Sequence, residues 1–174
     1  RRQNGHTWWM KEWRVAGAVL EAPEGVLLVC NRRRDGSLDW SPPGGVIDAG
    51  EGVLDGLARE VQEETGFVVT AWDEHPLYQV VIEAPDLGWH LEASVHRAAE
   101  YSGELVVEDP DGIVVDAGWV HLDACPERLS LGHPWVGEPL VEWLTERWAQ
   151  PRRFDYRIDG ATLREASVNR LAGP

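Results

Sequence analysis

Residues Gly45 to Phe67 read GVIDAGEGVLDGLAREVQEETGF, and the spacing inside this stretch decides the fold around it. In an α-helix, side chains at i, i+3 and i+4 share a face, so Glu60, Glu63 and Glu64 converge, with Arg59 directly before them. Like charges at these spacings cost roughly 0.2–0.5 kcal/mol per pair on an exposed helix, and burial forces at least one carboxylate to hold a proton. A divalent cation relieves both penalties. Carboxylate oxygens without a neighbouring Cys or His favour Mg2+ or Mn2+ over zinc, and Mg2+ is usually held by one or two carboxylates together with substrate phosphates. The pattern therefore points to a phosphate-bearing ligand.

Around that face the stretch divides into strand, loop and helix. Ser41-Pro42-Pro43 is a stiff lead into Gly44 and Gly45, where missing Cβ atoms let a backbone carbonyl approach a ligand or metal. Val46 and Ile47 read as a short strand, Asp48 to Gly50 as a turn, and Glu51 as the opening of the helix. Val53 or Leu54, Leu57 and Val61 recur at helical spacing and give a core-facing stripe. Gly66 stands where a helix end takes a left-handed residue, and Phe67 to Thr70 begins a β-rich run.

The stretch resembles the Nudix box, G-x5-E-x7-R-E-U-x-E-E-x-G-U, in which U is a bulky aliphatic or aromatic residue. Every fixed position matches: Gly45, Glu51, Arg59, Glu60, Val61, Glu63, Glu64, Gly66 and Phe67. The resemblance implies an α/β Nudix fold, a mixed β-sheet sandwiched between α-helices. It also implies Mg2+-dependent hydrolysis of a nucleoside diphosphate linked to a further group, with Mn2+ able to substitute. Carried over by position, it makes Glu60, Glu63 and Glu64 metal ligands, adds the Gly44 carbonyl as a backbone ligand, and gives Glu60, Arg59 and Glu64 as the catalytic set. Arg59 would hold a box glutamate in its rotamer, a task for a planar fork rather than for Lys. Glu51 is either an outer metal ligand or the partner of Arg59.

Hydrolysis of a phosphoanhydride needs an activated water and a charge-neutralised phosphorus, and metal ions supply both. For the general base the resemblance allows two places. One is the box helix, where Glu60 would combine ligand and base; the other is a downstream loop, where Glu108, Asp109 and Asp111 cluster. Glu92, on a strand, is a third option. Arg32 and Arg34, in the polar run Asn31 to Ser37, are candidate phosphate contacts. The 10 tryptophans include Trp8, Trp9, Trp13, Trp40 and Trp89 as material for a base-stacking platform, although large aromatics serve more often in packing. Trp40 and Tyr78 are the candidate stackers.

A chain of 174 residues and 19.5 kDa fits one domain, which at this size buries roughly 68–70% of its unfolded surface. A net charge of -14 argues against a nucleic-acid polymer as partner, because neutralising phosphates needs a basic footprint. A small nucleotide-type anion stays compatible, since a bound cation and a few arginines reverse the local field. No apolar run approaches the roughly 18 residues that cross a bilayer, so no membrane partner is expected. Arg1 to Met10 lacks the apolar core and small-residue cleavage site of a signal peptide. Cys30 and Cys125 form neither a disulfide framework nor a zinc spacing, and the expected location is cytoplasmic.

Upstream of the box, Trp13 to Leu20 and Val26 to Cys30 are apolar, β-rich runs that read as a hairpin through Ala22-Pro23-Glu24-Gly25. Downstream, Phe67 to Trp72, Leu77 to Glu83, Trp89 to Ala98 and Gly112 to His121 read as strands. Pro134 to Trp148 carries Val136, Leu140, Val141, Leu144 and Trp148 at helical spacing and reads as the second helix. The single Nudix domain is thus expected at 1–150, followed by a C-terminal extension at 151–174. In the extension Phe154, Tyr156 and Ile158 alternate like a strand, Asp159-Gly160 turns, and Ala161 to Leu171 reads as helix or strand. It either packs on the domain or forms a homodimer contact.

Substrate class is the least legible feature. In some Nudix subfamilies an extra residue beyond the box marks the substrate, a proline for ADP-ribose or a tyrosine for dinucleoside polyphosphates. Pro76, Tyr78 and Pro85 do not fall clearly at those places. Few residues precede the first strand, so the swapped N-terminal region of many ADP-ribose pyrophosphatases is not expected. A nucleoside triphosphate, as in MutT-like enzymes, is the first expectation, with ADP-ribose or an NDP-sugar second. A non-catalytic nucleotide-metabolite sensor is the reading from another class. Isomerisation of a prenyl diphosphate would want a Cys beside the box, and the sequence places none there.

Overall fold

Small residues in the first long strand, Ala16-Gly17-Ala18, let two neighbouring strands and the box helix close in around it. The computed structural model describes residues 10–173. The chain runs through β1 (Lys11–Val19), β2 (Glu21–Ala22), β3 (Gly25–Arg32), β4 (Leu38–Ser41), β5 (Gly44–Val46), α1 (Val53–Thr65), β6 (Val68–Trp72), β7 (Tyr78–Ala84) and β8 (Trp89–Ser102). It continues through β9 (Val114–Val120), α2 (Cys125–Leu129), α3 (Pro134–Glu146), β10 (Arg152–Asp159) and β11 (Ser167–Arg170).

The strands make two sheets. The larger has the order β11-β10-β7-β8-β1-β5, with β6 paired to β8; β1 with β8 and β7 with β10 are parallel, the other neighbours antiparallel. The smaller joins β2, β3 and β4, with β9 on the free side of β3. Successive strand residues face opposite sides, and β1 shows what this does. Ala16 and Ala18 pack with Ile47, Leu57, Val61 and Phe67 under α1, whereas Val19 packs with Tyr78, Leu129, Leu140 and Trp143 under α2 and α3. The result is an α/β fold with a mixed sheet between helices.

Several local expectations are corrected. The two upstream apolar runs do not pair along their length: β1 takes β5 and β8, and the hairpin is confined to Glu21 opposite Val26 and Ala22 opposite Gly25. β3 is buried on both faces and the end of β1 nearly so, and each is an interior strand with partners on both sides. β4, which had no periodic signal, supplies one of those for β3. The box helix starts at Val53 behind an extended Gly52, leaving Glu51 in the loop where its carboxylate turns back to Arg59. α3 stops at Glu146 because Arg147 takes a left-handed φ of 52°.

The segment 161–171 holds no helix; after a turn, β11 pairs with β10. β10 lies parallel to β7 and buries Phe154, Tyr156 and Ile158 in the same cluster as Tyr78 and Ile82. Trp8 and Trp9 lie outside the described residues. Among the described residues, no helix is long and apolar enough to cross a membrane, and Cys30 and Cys125 are buried free thiols.

Candidate active site

Two glycines bring β5 against the acidic face of α1. Gly44 has φ of 151°, and a Cβ there would lie 2.1 Å from the Ala16 carbonyl oxygen. A Cβ on Gly45 would lie 2.8 Å from Glu60 Oε2. The close approach lets the Gly44 N–H donate to Glu64 Oε2 at 2.9 Å. At the far end of the helix Gly66, with φ of 78°, caps the last turn by donating to the Gln62 carbonyl.

Arg59 organises the remaining acids. Its Nε and Nη2 donate to the two oxygens of Glu51 at 3.0 and 3.2 Å, while Nη1 donates to Glu60 at 2.8 Å and Glu63 at 3.3 Å. Glu51 is therefore the fork partner of Arg59, and that bond holds its carboxyl below the ordinary value. Glu64 has no such partner among the described residues. Burial pushes its pKa up to about 8 against the pull of the Gly44 N–H, and the charges of Glu60, Asp109 and Glu63 add to the rise. Glu60 is raised as well, by burial that outweighs Arg59.

This donor set fits a hard divalent cation: oxygen ligands, a surplus of negative charge, and one buried carboxyl whose ionisation needs a counter-ion. Among the described residues no three carboxylates stand at ligating distance from a common point. Glu60 and Glu63 are turned to Arg59, and Glu64 to Gly44. A cation entering here competes with Arg59 for two of its ligands.

The acids open on a cleft of 590 Å³. Glu60, Glu64, Asp109 and Asp111 line one end, and Tyr78, Val80, Leu91, Val95, Trp135 and Val136 make an apolar slot at the other. Asn31 of β3, Ser41 of β4 and Arg33 of the loop between them edge it. Asp109 and Asp111 come from the same loop but differ in freedom. Asp109 accepts the N–H groups of Asp111, Ile113 and Val114 at 3.1, 2.9 and 2.9 Å. The Asp111 carboxylate has no hydrogen-bond partner among the described residues, and its charge is felt at Glu60.

The other candidates are dispersed. Glu108 is exposed and does not line the cleft. Arg32 and Arg34 are exposed and also off the cleft, whereas Arg33 lines it, committed by its fork to Asp39. Trp40 is not on the cleft and has the Arg128 guanidinium 4.7 Å from its ring centre. Tyr78 lines the slot but is only 1% exposed; burial raises its phenol pKa, and Phe154 and Trp148 meet it edge-on. Trp89 packs against the core, and Trp13 carries the Lys11 ammonium at 3.9 Å. Glu92 lies in a separate recess of 230 Å³ with Arg14 and Arg153, bonded to His90. Sequence reasoning missed Asn31, Arg33, Asp39, Ser41 and Trp135. The available signal was Asn31 itself, a polar residue ending the apolar strand VLLVCN.

A model of the NUDIX domain matches residues 11–144. The chain belongs to the Nudix family. Nudix hydrolases act on diphosphate bonds of small nucleotide-derived substrates and generally use divalent metals. This Nudix chain is 32% identical over 102 residues to an uncharacterised Nudix hydrolase, YvcI, of Bacillus subtilis, covering 57% of this chain and 61% of that protein. It is 34% identical over 118 residues to the NAD-capped RNA hydrolase NudC of Stutzerimonas stutzeri, covering 64% of this chain and 37% of that one. It thus spans less than two thirds of either relative. Among solved structures, the MutT Nudix hydrolase of Burkholderia pseudomallei superimposes with a TM-score of 0.56 at 30% identity, covering 65% of this chain and 85% of that chain. The mutator MutT protein of Bacillus halodurans does so at 0.61 and 25%, covering 93% and 99%.

Proposed function

We propose that this Nudix chain is a Mg2+-dependent pyrophosphohydrolase of nucleoside diphosphate derivatives, with nucleoside triphosphates as the preferred class. The observation that carries the reading is Glu64, a buried carboxyl with no cationic side-chain partner among the described residues, lining one cleft with its helix neighbour Glu60 and with Asp109 and Asp111. Glu60, Glu63 and Glu64 would hold the ion, with the Gly44 carbonyl beside them. Bound there, Mg2+ supplies charge neutralisation at the phosphate oxygens and acidifies the attacking water.

The chain's own residues do the rest. Arg59 keeps Glu51, Glu60 and Glu63 aligned, a positioning role suited to its fork. Asp109 fixes the loop by its three backbone bonds, and Asp111, with a free carboxylate on the cleft, accepts the proton of the attacking water together with or in place of Glu60. The apolar slot takes the group beyond the phosphates.

The test is Mg2+-dependent cleavage of nucleoside triphosphates, ADP-ribose, NDP-sugars and dinucleoside polyphosphates, read chromatographically as the nucleotide product of each, since only the triphosphates release phosphate or pyrophosphate directly. Triphosphates should turn over fastest, and EDTA should abolish cleavage. Faster turnover of ADP-ribose would move the substrate assignment; tight binding of one member with no cleavage of any would replace the enzyme by a sensor.

A further inference from the structure

The β3–β4 edge of the cleft carries a polar device that the diphosphate chemistry does not use. Asn31 is only 7% exposed. Its Nδ2 donates to Asp39 Oδ1 at 3.1 Å and to Ser41 Oγ at 2.9 Å, so both amide protons are engaged. Asp39 is itself held by the Arg33 fork, with Nη2 at 2.8 Å from Oδ1. Turning the amide over would set its oxygen against the Asp39 carboxylate, so the network fixes which end faces which way.

Two groups are left over. Among the described residues Asn31 Oδ1 receives no hydrogen bond, and Trp143 Nε1 is the buried side-chain polar atom without a partner. Asn31 Oδ1 is therefore not sealed inside protein, and Asn31 lines the cleft. Ser41 Oγ accepts from Asn31, which frees its own proton. An acceptor and a donor thus stand side by side at the rim of a slot walled by Tyr78, Leu91 and Trp135.

Resting on the hydrolase reading above, we propose that Asn31 and Ser41 read the polar edge of the substrate's nucleobase. A flat ring satisfies the apolar walls, and its edge satisfies the pair. A phosphate is disfavoured here, because Arg33, the cation on this edge of the cleft, already gives its Nε and Nη2 to Asp39. An aliphatic chain would leave both polar groups unpaired, which costs affinity. Every nucleobase carries a neighbouring donor and acceptor, but at different offsets from its glycosidic bond, so a rigid pair selects among bases by register.

The four nucleoside 5′-monophosphates, which hold no anhydride to cleave, are titrated calorimetrically against ribose 5-phosphate as the base-free reference. One monophosphate should bind about tenfold or more tightly than the reference and than the other bases, and Asn31→Ala and Ser41→Ala should each erase about tenfold of that advantage. Ser41→Ala keeps the Arg33–Asp39 fork and carries the test if Asn31→Ala does not fold. Equal binding of all four and of ribose 5-phosphate, or an advantage unchanged in a folded variant, would overturn the proposal. Base-selective binding lost in the variants, in a chain that cleaves no nucleotide, would sink the hydrolase reading and leave this one standing. Cleavage whose base preference survives both substitutions would do the reverse.

Discussion

The two ends of the cleft are built in opposite ways. The acidic end comes almost entirely from one short segment: Gly44, Gly45, Glu51, Arg59, Glu60, Glu63 and Glu64 meet through one short strand, one loop and one helix. The apolar end draws Tyr78 and Val80 from β7, Leu91 and Val95 from β8, and Trp135 and Val136 from α3, with a polar edge from β3 and β4, elements far apart in sequence. Chemistry here is encoded locally and the shape beyond it globally. Substitutions at the first end should therefore change turnover without unfolding the chain, whereas damage to the sheet should dismantle the second end along with the fold.

The largest effect expected is from truncation after Gln150. It removes Phe154, Tyr156 and Ile158, all at or below 4% exposure, and losses of roughly 3–5 kcal/mol for each large core side chain would exhaust a typical stability of about 5–15 kcal/mol. Size exclusion and thermal melts should show no cooperatively folded monomer. A folded, active 1–150 fragment would mean that the apolar end does not depend on its distant support. Next comes Glu64→Gln or Glu63→Gln, which should lower kcat by about 10²–10³ or more with the melting transition retained. Undiminished turnover in either variant would dismiss the site assignment. Arg59→Lys should cost a smaller factor, about 10–100 in Mg2+ affinity or activity, since it removes an orienting fork rather than a ligand.

The smallest effect is on stability and depends on pH. Glu64 titrates near 8 in the folded chain and near 4.5 when unfolded, so the folded state holds the extra proton. Metal-free protein should gain stability from this group as pH falls from about 8 toward 4.5, the opposite of Glu51, whose lowered pKa means its contribution is lost in acid. Glu64→Gln should flatten that window and raise the melting temperature of metal-free protein at pH 9 by a few degrees, on the order of 2 kcal/mol. A lower melting temperature for Glu64→Gln at pH 9 would mean that the carboxyl is not buried at a cost.

The same contrast explains what could be read from the sequence. The acidic face and its stripe of Leu57 and Val61 were legible because helical spacing is a local property. The β1–β3 hairpin was misjudged because an apolar strand does not state its partners, and both runs found theirs elsewhere. Among three consecutive arginines, which one reaches the cleft depends on how the chain turns after β3 ends at Arg32. The pairing of β3 with β9 shifts register between Cys30 and Asn31, which nothing in the sequence announces. Asn31, Asp39 and Ser41 meet only across the β3–β4 ladder, and Trp135 reaches the slot only because α3 lies over the sheet.

Arg59 also has a consequence for how the metal arrives. Its guanidinium already sits among Glu51, Glu60 and Glu63, so a cation entering the centre has to take over two of its ligands from Arg59, and of the three helix glutamates only Glu64 meets it with no cation among the described residues to give up. The free energy of uptake is then a difference between two large attractions, and differences of that kind are small. Occupancy should follow the free ion concentration instead of saturating at trace levels, and loss of the ion should leave the helix standing, its glutamates still parked in order.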